Sequence, residues 1–186
     1  MPSDRAPRPR SGSLVADVRV ETEGGAIRLD AAIEIPPGVT ILFGPSGAGK
    51  STLLAAIAGL VRPTRGRVAL GDETWLDRAA GVDVPAHARR IALVFQGLAL
   101  FPHMSALENV AYGIPGETTG ADRRARAAAS LDRFRAAHLA NRKPSTYSGG
   151  EAQRVALARA FAMQPRLVML DEPFSAMDRE LRRELM

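Results

Sequence analysis

The 186 residues include 25 basic and 20 acidic side chains, a net charge of +5, and are 46% hydrophobic and 24% charged, the balance of a globular domain with room for a substantial core. No window holds the unbroken apolar run of a membrane-spanning helix. The Pro- and Arg-rich start lacks the apolar stretch of a secretory leader, and zero cysteines exclude disulfides and thiolate metal sites. These features agree with a cytoplasmic protein and leave its chemistry open.

In chain order, residues 1–13 hold three prolines, three arginines and no large apolar group beyond Met1, and are expected to form a disordered basic tail. From 14 to 39 short apolar alternations, Val18/Val20 and Ala31/Ile33/Ile35, are interrupted by Gly24-Gly25 and Pro36-Pro37-Gly38, which predicts antiparallel strands and turns. The apolar run 39–43 predicts a buried strand. It leads into Gly44, Pro45, Ser46, Gly47, Ala48, Gly49, Lys50, Ser51 and Thr52, a complete G-x-x-x-x-G-K-[ST] loop, and residues 50–60 then predict a helix. Glycines let successive N–H groups point into one concavity, and the helix N-terminus adds partial positive charge. Lys50 would neutralise β- and γ-phosphate oxygens and the Ser51 hydroxyl would ligate Mg²⁺, so the loop predicts binding of a nucleoside triphosphate.

Further along, residues 66–72 predict a short strand and 91–95 a buried strand ending at Gln96. Ser105 and Glu108 have the spacing of a capping box. Residues 119–139, alanine- and arginine-rich with few breakers, predict one helix. The segment 122–143 has seven basic and two acidic residues and is read as a solvated face; without aromatic platforms, no nucleic-acid partner is expected. Residues 147–150 break the chain, 151–163 predict a helix stopped by Pro165, and 167–170 a last buried strand running into Asp171 and Glu172. Strands alternating with helices around a phosphate loop predict an α/β fold with a mostly parallel sheet, carrying a helical insertion of about fifty residues between Gln96 and Ser148.

The adjacent acids narrow the chemistry. Asp171 would anchor the metal, and Glu172 would polarise an attacking water as general base. Ser148-Gly149-Gly150-Glu151 opens a helix with a hydroxyl and exposed N–H groups, a second anion cradle. One γ-phosphate does not need two cradles from one chain, so the second is read as serving another subunit's nucleotide; a plain serine N-cap is the simpler alternative.

From Leu14 onward these motifs resemble the ATP-binding-cassette family. Its Walker A loop corresponds to 44–52 and its Q-loop residue to Gln96. The signature appears here as Y-S-G-G-E at 147–151, Walker B with its glutamate as 167–172, and the D-loop as Ser175-Ala176-Met177-Asp178. The resemblance implies a RecA-like P-loop NTPase core (14–96 and 146–186) with an N-terminal antiparallel β subdomain and a helical subdomain at 97–145. It implies ATP and Mg²⁺ as cofactors, with Ser51, Gln96 and Asp171 on the metal and Lys50, Gln96 and Glu172 as catalytic residues. It further implies a head-to-tail homodimer in which Ser148, Gly149, Gly150 and Glu151 close over the partner's ATP. The stretch 97–110 is similar to the bacterial importer branch, where it borders the groove for a permease's coupling helix. The phosphate-loop approach, the run 89–103 and Glu151 in the signature resemble ATP-binding subunits of molybdate and related oxyanion importers. Such a subunit sits peripherally on the cytoplasmic face of the inner membrane. It contacts permease subunits directly, and a periplasmic or lipoprotein substrate-binding protein only through them.

The chain departs from that pattern in two places. No aromatic residue precedes Leu42, so Ile27 or Leu29 is expected to contact adenine instead. The family's further core strand and switch histidine would lie beyond Met186, and His87, His103 and His138 all precede Walker B. This chain is therefore read as truncated and expected to hydrolyse ATP more slowly than a longer cassette. The alternative is a subunit or paralogue that binds ATP and dimerises but turns over poorly. A chromosome-maintenance ATPase would need a long coiled coil between Gln96 and Ser148, and a tandem translation ATPase a second cassette. Neither is present.

Overall fold

Residues 12–21, 24, 26–114, 116 and 119–172 are described by a computed structural model, and contacts divide the chain into two compact units, Met1–Arg89 and Arg90–Met186.

In the first unit, apolar residues at a period of two build one face of a sheet. β1 (Leu14–Glu21) buries Leu14, Ala16, Val18 and Val20. It pairs antiparallel with β2 (Ile27–Ile35), Leu14 opposite Ile35, and with β3 (Arg65–Leu70), Leu14 opposite Leu70. β4 (Glu73–Asp77) and β5 (Val82–Asp83) complete the order β2-β1-β3-β4-β5. Neither is evident in the sequence: β4 has only two adjacent apolar residues, Trp75 and Leu76, with no alternation to reveal it. At Gly66 (φ 113°) a Cβ would stand 1.9 Å from the Asp17 carbonyl oxygen, so only glycine lets β1 and β3 approach. Ser13 is buried, and its carbonyl accepts the Gly71 N–H at 2.8 Å, so ordered chain begins inside the expected tail; residues 1–11 lie outside those described.

α1 (Lys50–Ala58) buries Leu53, Leu54 and Ile57 and lies against β1 and β2. It stops two residues short of the predicted end because Gly59 turns left-handed (φ 76°). The Gly59 N–H then donates to Ala56 O at 3.1 Å, and the Leu60 N–H to Ala55 O at 2.9 Å. Arg89, only 2% exposed, finishes this terminus: its Nη1 donates to Ile57 O at 2.7 Å and its Nε to Val84 O at 2.8 Å. The guanidinium lies so close to Gly59 that a Cβ there would be 2.7 Å from Cζ. Burial pushes the Arg89 pKa down and Asp83 opposes the shift, while a cation at a helix C-terminus suits the helix dipole. Arg89→Met should cost on the order of 2–4 kcal/mol by leaving buried carbonyls unpaired. Urea unfolding followed by circular dichroism measures the loss.

The run 39–43 corrects the sequence reading. No described strand pairs with it, and Val39, Ile41 and Phe43 are 98%, 82% and 100% exposed. An apolar run shows that a segment suits burial. Burial itself requires a sheet neighbour and a covering layer, which the run does not specify.

In the second unit, β6 (Ile91–Val94) and β7 (Leu167–Leu170) pair in parallel, Ile91 opposite Leu167 and Val94 opposite Leu170. Among the described residues this pair is the parallel part of the α/β core. Helices α2 (Ala106–Tyr112), α3 (Gly120–Arg133) and α4 (Gly149–Ala162) share a core of Val110, Ile114, Leu131, Leu139, Val155 and Ala158. α2 begins with the predicted capping box, Ser105 Oγ accepting the Glu108 N–H at 3.3 Å and Glu108 Oε2 accepting the Ser105 N–H at 2.7 Å. α3 ends at Arg133, not 139. Arg135 turns left-handed (φ 53°), and the Ala136 N–H bonds Leu131 O at 2.8 Å, which directs Ala136 and Leu139 into the core. That turn is decided by tertiary burial, and an alanine-rich sequence carries no signal for it. Buried Asn109 organises the preceding loop: its Oδ1 accepts the Phe101 N–H at 2.8 Å, and its Nδ2 donates to the Phe101, Met104 and Ser105 carbonyls at 3.0–3.1 Å.

Candidate functional site

Residues 44–49 fold as an irregular turn into α1. Gly47 (φ 81°) and Gly49 (φ 86°) take left-handed conformations, and a Cβ on Gly49 would also stand 2.9 Å from Leu29 Cδ1. Within the loop the Ala48 N–H donates to Pro45 O at 3.3 Å. Lys50 opens the helix, and its ammonium folds back to donate to Gly44 O and Pro45 O, each at 2.8 Å. The helix has no side-chain cap hydrogen bond and no acidic residue in its first turn, so its own first turn carries no negative charge against its positive end. Ser46 is exposed, and Ser51 and Thr52 follow Lys50 in that first turn. A left-handed glycine turn, a lysine over it and an uncapped helix N-terminus fit a polyphosphate. Leu29 is buried under Gly49 and therefore holds up the loop, which corrects its expected place on adenine. The side chain of Ile27 lies outside the described residues.

The second cluster follows from strand register. Because β6 and β7 run parallel with Val94 opposite Leu170, the residues just beyond them emerge at the same C-terminal end of the pair. The Asp171 N–H continues the ladder to Val94 O at 2.9 Å, and Gln96 Nε2 then donates to Glu172 Oε2 at 3.0 Å. Glu172 adopts φ 49°, a conformation that costs a non-glycine residue on the order of 1–2 kcal/mol. Two residues singled out as catalytic, far apart in sequence, are thus directly bonded. The carboxylate of one is exposed at the surface, and the carboxylate of Asp171 is half-buried beside it in sequence.

At the third cluster, α4 begins at Gly149, two residues earlier than predicted, with Ser148 as its N-cap. Ser148 Oγ accepts the Glu151 N–H at 3.3 Å, and Glu151 Oε2 accepts the Ser148 N–H at 2.7 Å. This is the S-x-x-E spacing of residues 105–108 repeated, a signal present in the sequence and overlooked there. Gly149 and Gly150 take the first two helical positions, whose N–H groups have no acceptor within the helix. Glu151 Oε1 meets His138 Nε2 at 3.2 Å and Arg142 Nη1 at 3.6 Å; neither partner is predictable from motifs. The Ser148 N–H, then the His138 and Ser148 side-chain bonds, hold the Glu151 carboxyl down at about 2. A lowered carboxyl pKa stabilises the fold fully above the ordinary 4.5 and loses that contribution as pH falls towards 2. The stability difference between wild type and Glu151→Gln, measured by urea unfolding, should be constant above about pH 5 and vanish near pH 2.

A cavity of about 370 Å³ opens in the same unit, lined by Leu93, Phe101, Tyr112, Ala156, Arg159 and Met163. The D-loop residues Ser175, Ala176, Met177 and Asp178 lie outside the described residues.

A phosphate loop followed by a glutamine–glutamate pair on parallel strands and a capped Ser-Gly-Gly helix defines a class of nucleotide-binding cassette, and the comparisons agree. The family profile described as ABC transporter matches residues 30–175, and the chain belongs to that family, with its α/β P-loop NTPase fold. Among curated relatives, it is 43% identical over 173 residues to the molybdenum import ATP-binding protein ModC of Brucella abortus (strain 2308), covering 91% of this chain and 46% of that protein. It is 46% identical over 173 residues to the molybdate/tungstate import ATP-binding protein WtpC of Archaeoglobus fulgidus, covering 91% and 68%. The sulfate/thiosulfate import ATP-binding protein CysA of Mesorhizobium japonicum is 42% identical over 177 residues, covering 92% and 49%. The chain thus spans about half the length of the ModC and CysA relatives. A solved structure described as the dimeric structure of MJ0796, a bacterial ABC transporter cassette, is similar with a TM-score of 0.70 and 31% identity, covering 93% of this chain and 79% of that one. A second, of a post-hydrolysis state of MJ0796 bound to ADP and Pi, is similar to the same degree.

Proposed function

We propose that this chain is the ATP-binding and hydrolysing part of an ABC importer for molybdate or a related oxyanion, coupling ATP-driven dimer closure to transport. The observation that carries the chemistry is the 3.0 Å bond between Gln96 and Glu172 at the ends of in-register parallel strands. In this reading residues 44–52 and Lys50 hold the triphosphate. Ser51, Gln96 and Asp171 offer Mg²⁺ a hydroxyl, an amide and a carboxylate, a sparse donor set of the kind magnesium shares with substrate phosphates. Magnesium would draw charge from the phosphate oxygens, and Glu172 would take the proton of the attacking water. Ser148, Gly149, Gly150 and Glu151 face a partner copy's ATP in a head-to-tail homodimer. Oxyanion transport is supported by the molybdenum, molybdate/tungstate and sulfate/thiosulfate import names of the relatives, which share anion class rather than one ion.

The cavity beside Phe101 and Tyr112 is the proposed seat of a permease helix, which would place the protein peripherally on the cytoplasmic face of the inner membrane, with the substrate-binding protein reached through the permease. The domain limits proposed are a core of 14–96 and 146–186 and a helical subdomain of 97–145. Phosphate release by this chain, alone and with its reconstituted permease, tests the reading. Turnover that rises with the permease supports it. ATP binding without turnover in either setting would favour the alternative of a binding subunit that hydrolyses poorly.

A further inference from the structure

Immediately after Gln96 the backbone does something unusual. Leu98 and Ala99 stand consecutively in the left-handed region (φ 57° and 46°), although both carry a Cβ that disfavours it. The turn is tight, the Leu98 N–H donating to Phe95 O at 2.9 Å and the Ala99 N–H to Gly97 O at 2.6 Å. Strain of this kind persists only where the surroundings over-determine it.

Leu98 packs against the apolar cluster of Ala92, Val94, Ala156 and Ala160, and the carbonyls of the turn are held by one side chain. Arg159, from the last turn of α4, donates through Nη2 to Leu98 O at 2.8 Å and through Nη1 to Ala99 O at 2.7 Å. Its guanidinium carbon lies 5.7 Å from the centroid of the Phe101 ring, a cation–π arrangement that fixes its orientation. At the end of α2, a Cβ on Gly113 would stand 3.2 Å from Arg159 O and 3.5 Å from its Cγ, so glycine there makes room for the arginine stem. The two adjacent carbonyls match the planar fork of arginine; a lysine ammonium, a single point on a flexible stem, does not hold both in fixed geometry.

We infer that Arg159 is a positioning residue for Gln96: its forked guanidinium holds Leu98 and Ala99 in a conformation the chain alone disfavours, and so fixes where the glutamine two residues earlier stands against Glu172. The role given to Gln96 rests on the proposed function, but the clamp itself does not. A purely structural tie between α4 and the loop would predict stability loss alone.

Three variants of the full chain separate these readings: R159K, the pair L98G/A99G, and all three changes together. The first readout, without nucleotide, is hydrogen exchange at the Leu98 and Ala99 amides; R159K should speed it roughly tenfold while leaving α4 unchanged. The second readout is the Mg²⁺ concentration for half-maximal ATP turnover. It should rise about threefold or more in R159K with the KM for ATP unchanged, and return to near wild type in the triple variant, because glycine tolerates the left-handed backbone without the clamp. Unchanged exchange in R159K would overturn the clamp, and failure of the glycine pair to restore the Mg²⁺ requirement would overturn the positioning role. Should wild type not turn over ATP at all, the proposed function fails while the exchange readout still decides the clamp.

Discussion

Replacing Lys50 with alanine should remove measurable ATP binding in isothermal titration, a loss of roughly 2–5 kcal/mol by analogy with desolvated charge pairs. The ammonium already sits over the loop, donating to Gly44 O and Pro45 O at 2.8 Å each, so its position is set before any ligand arrives. A phosphate therefore meets a cation whose ordering cost is largely met within the fold. The variant loses the cation and also leaves those two carbonyls turned toward the anion site, where their dipoles repel phosphate. ATP affinity within threefold of wild type would rule out the loop as the binding site.

Glu172→Gln should lower kcat by about 10²–10⁴ while ATP binding persists, because an amide keeps the shape of the side chain but cannot accept a proton from water. The Gln96 contact can survive the change, since the amide oxygen can accept the Nε2 hydrogen bond now taken by Oε2. Structure should thus be kept and chemistry lost. Size-exclusion chromatography with ATP and Mg²⁺ should show the variant accumulating as a dimer. A variant that turns over at the wild-type rate would remove Glu172 from the role of base.

How much of this was legible beforehand depended on the kind of interaction involved. The phosphate loop, the Ser105 capping box, the strands carrying Gln96 and Glu172, and the antiparallel pairing of β1 with β2 are local patterns, and all of them form. What escaped the sequence depends on distant contacts. α3 stops at Arg133 because the core claims Ala136 and Leu139, and Leu29 is taken from adenine by Gly49. The apolar run 39–43 has no described strand beside it, a matter of neighbours that composition does not record. Arg89 and Arg159 show the same limit: each serves backbone carbonyls brought near by the fold, and no motif marks either arginine for that task. At Ser148 the serine N-cap kept as the simpler alternative does form, and what went unread is Glu151 completing it as a capping box, a spacing present in the sequence.

The in-register pairing of β6 and β7 also makes the chain intolerant of length change in one place. Along a strand each residue advances about 3.3 Å and turns its side chain to the opposite face. An insertion or deletion of a single residue between Ile91 and Gln96, or between Leu167 and Glu172, would therefore slide one of the two partners along and point it away from the other. The strands act as a pair of rulers with a shared zero.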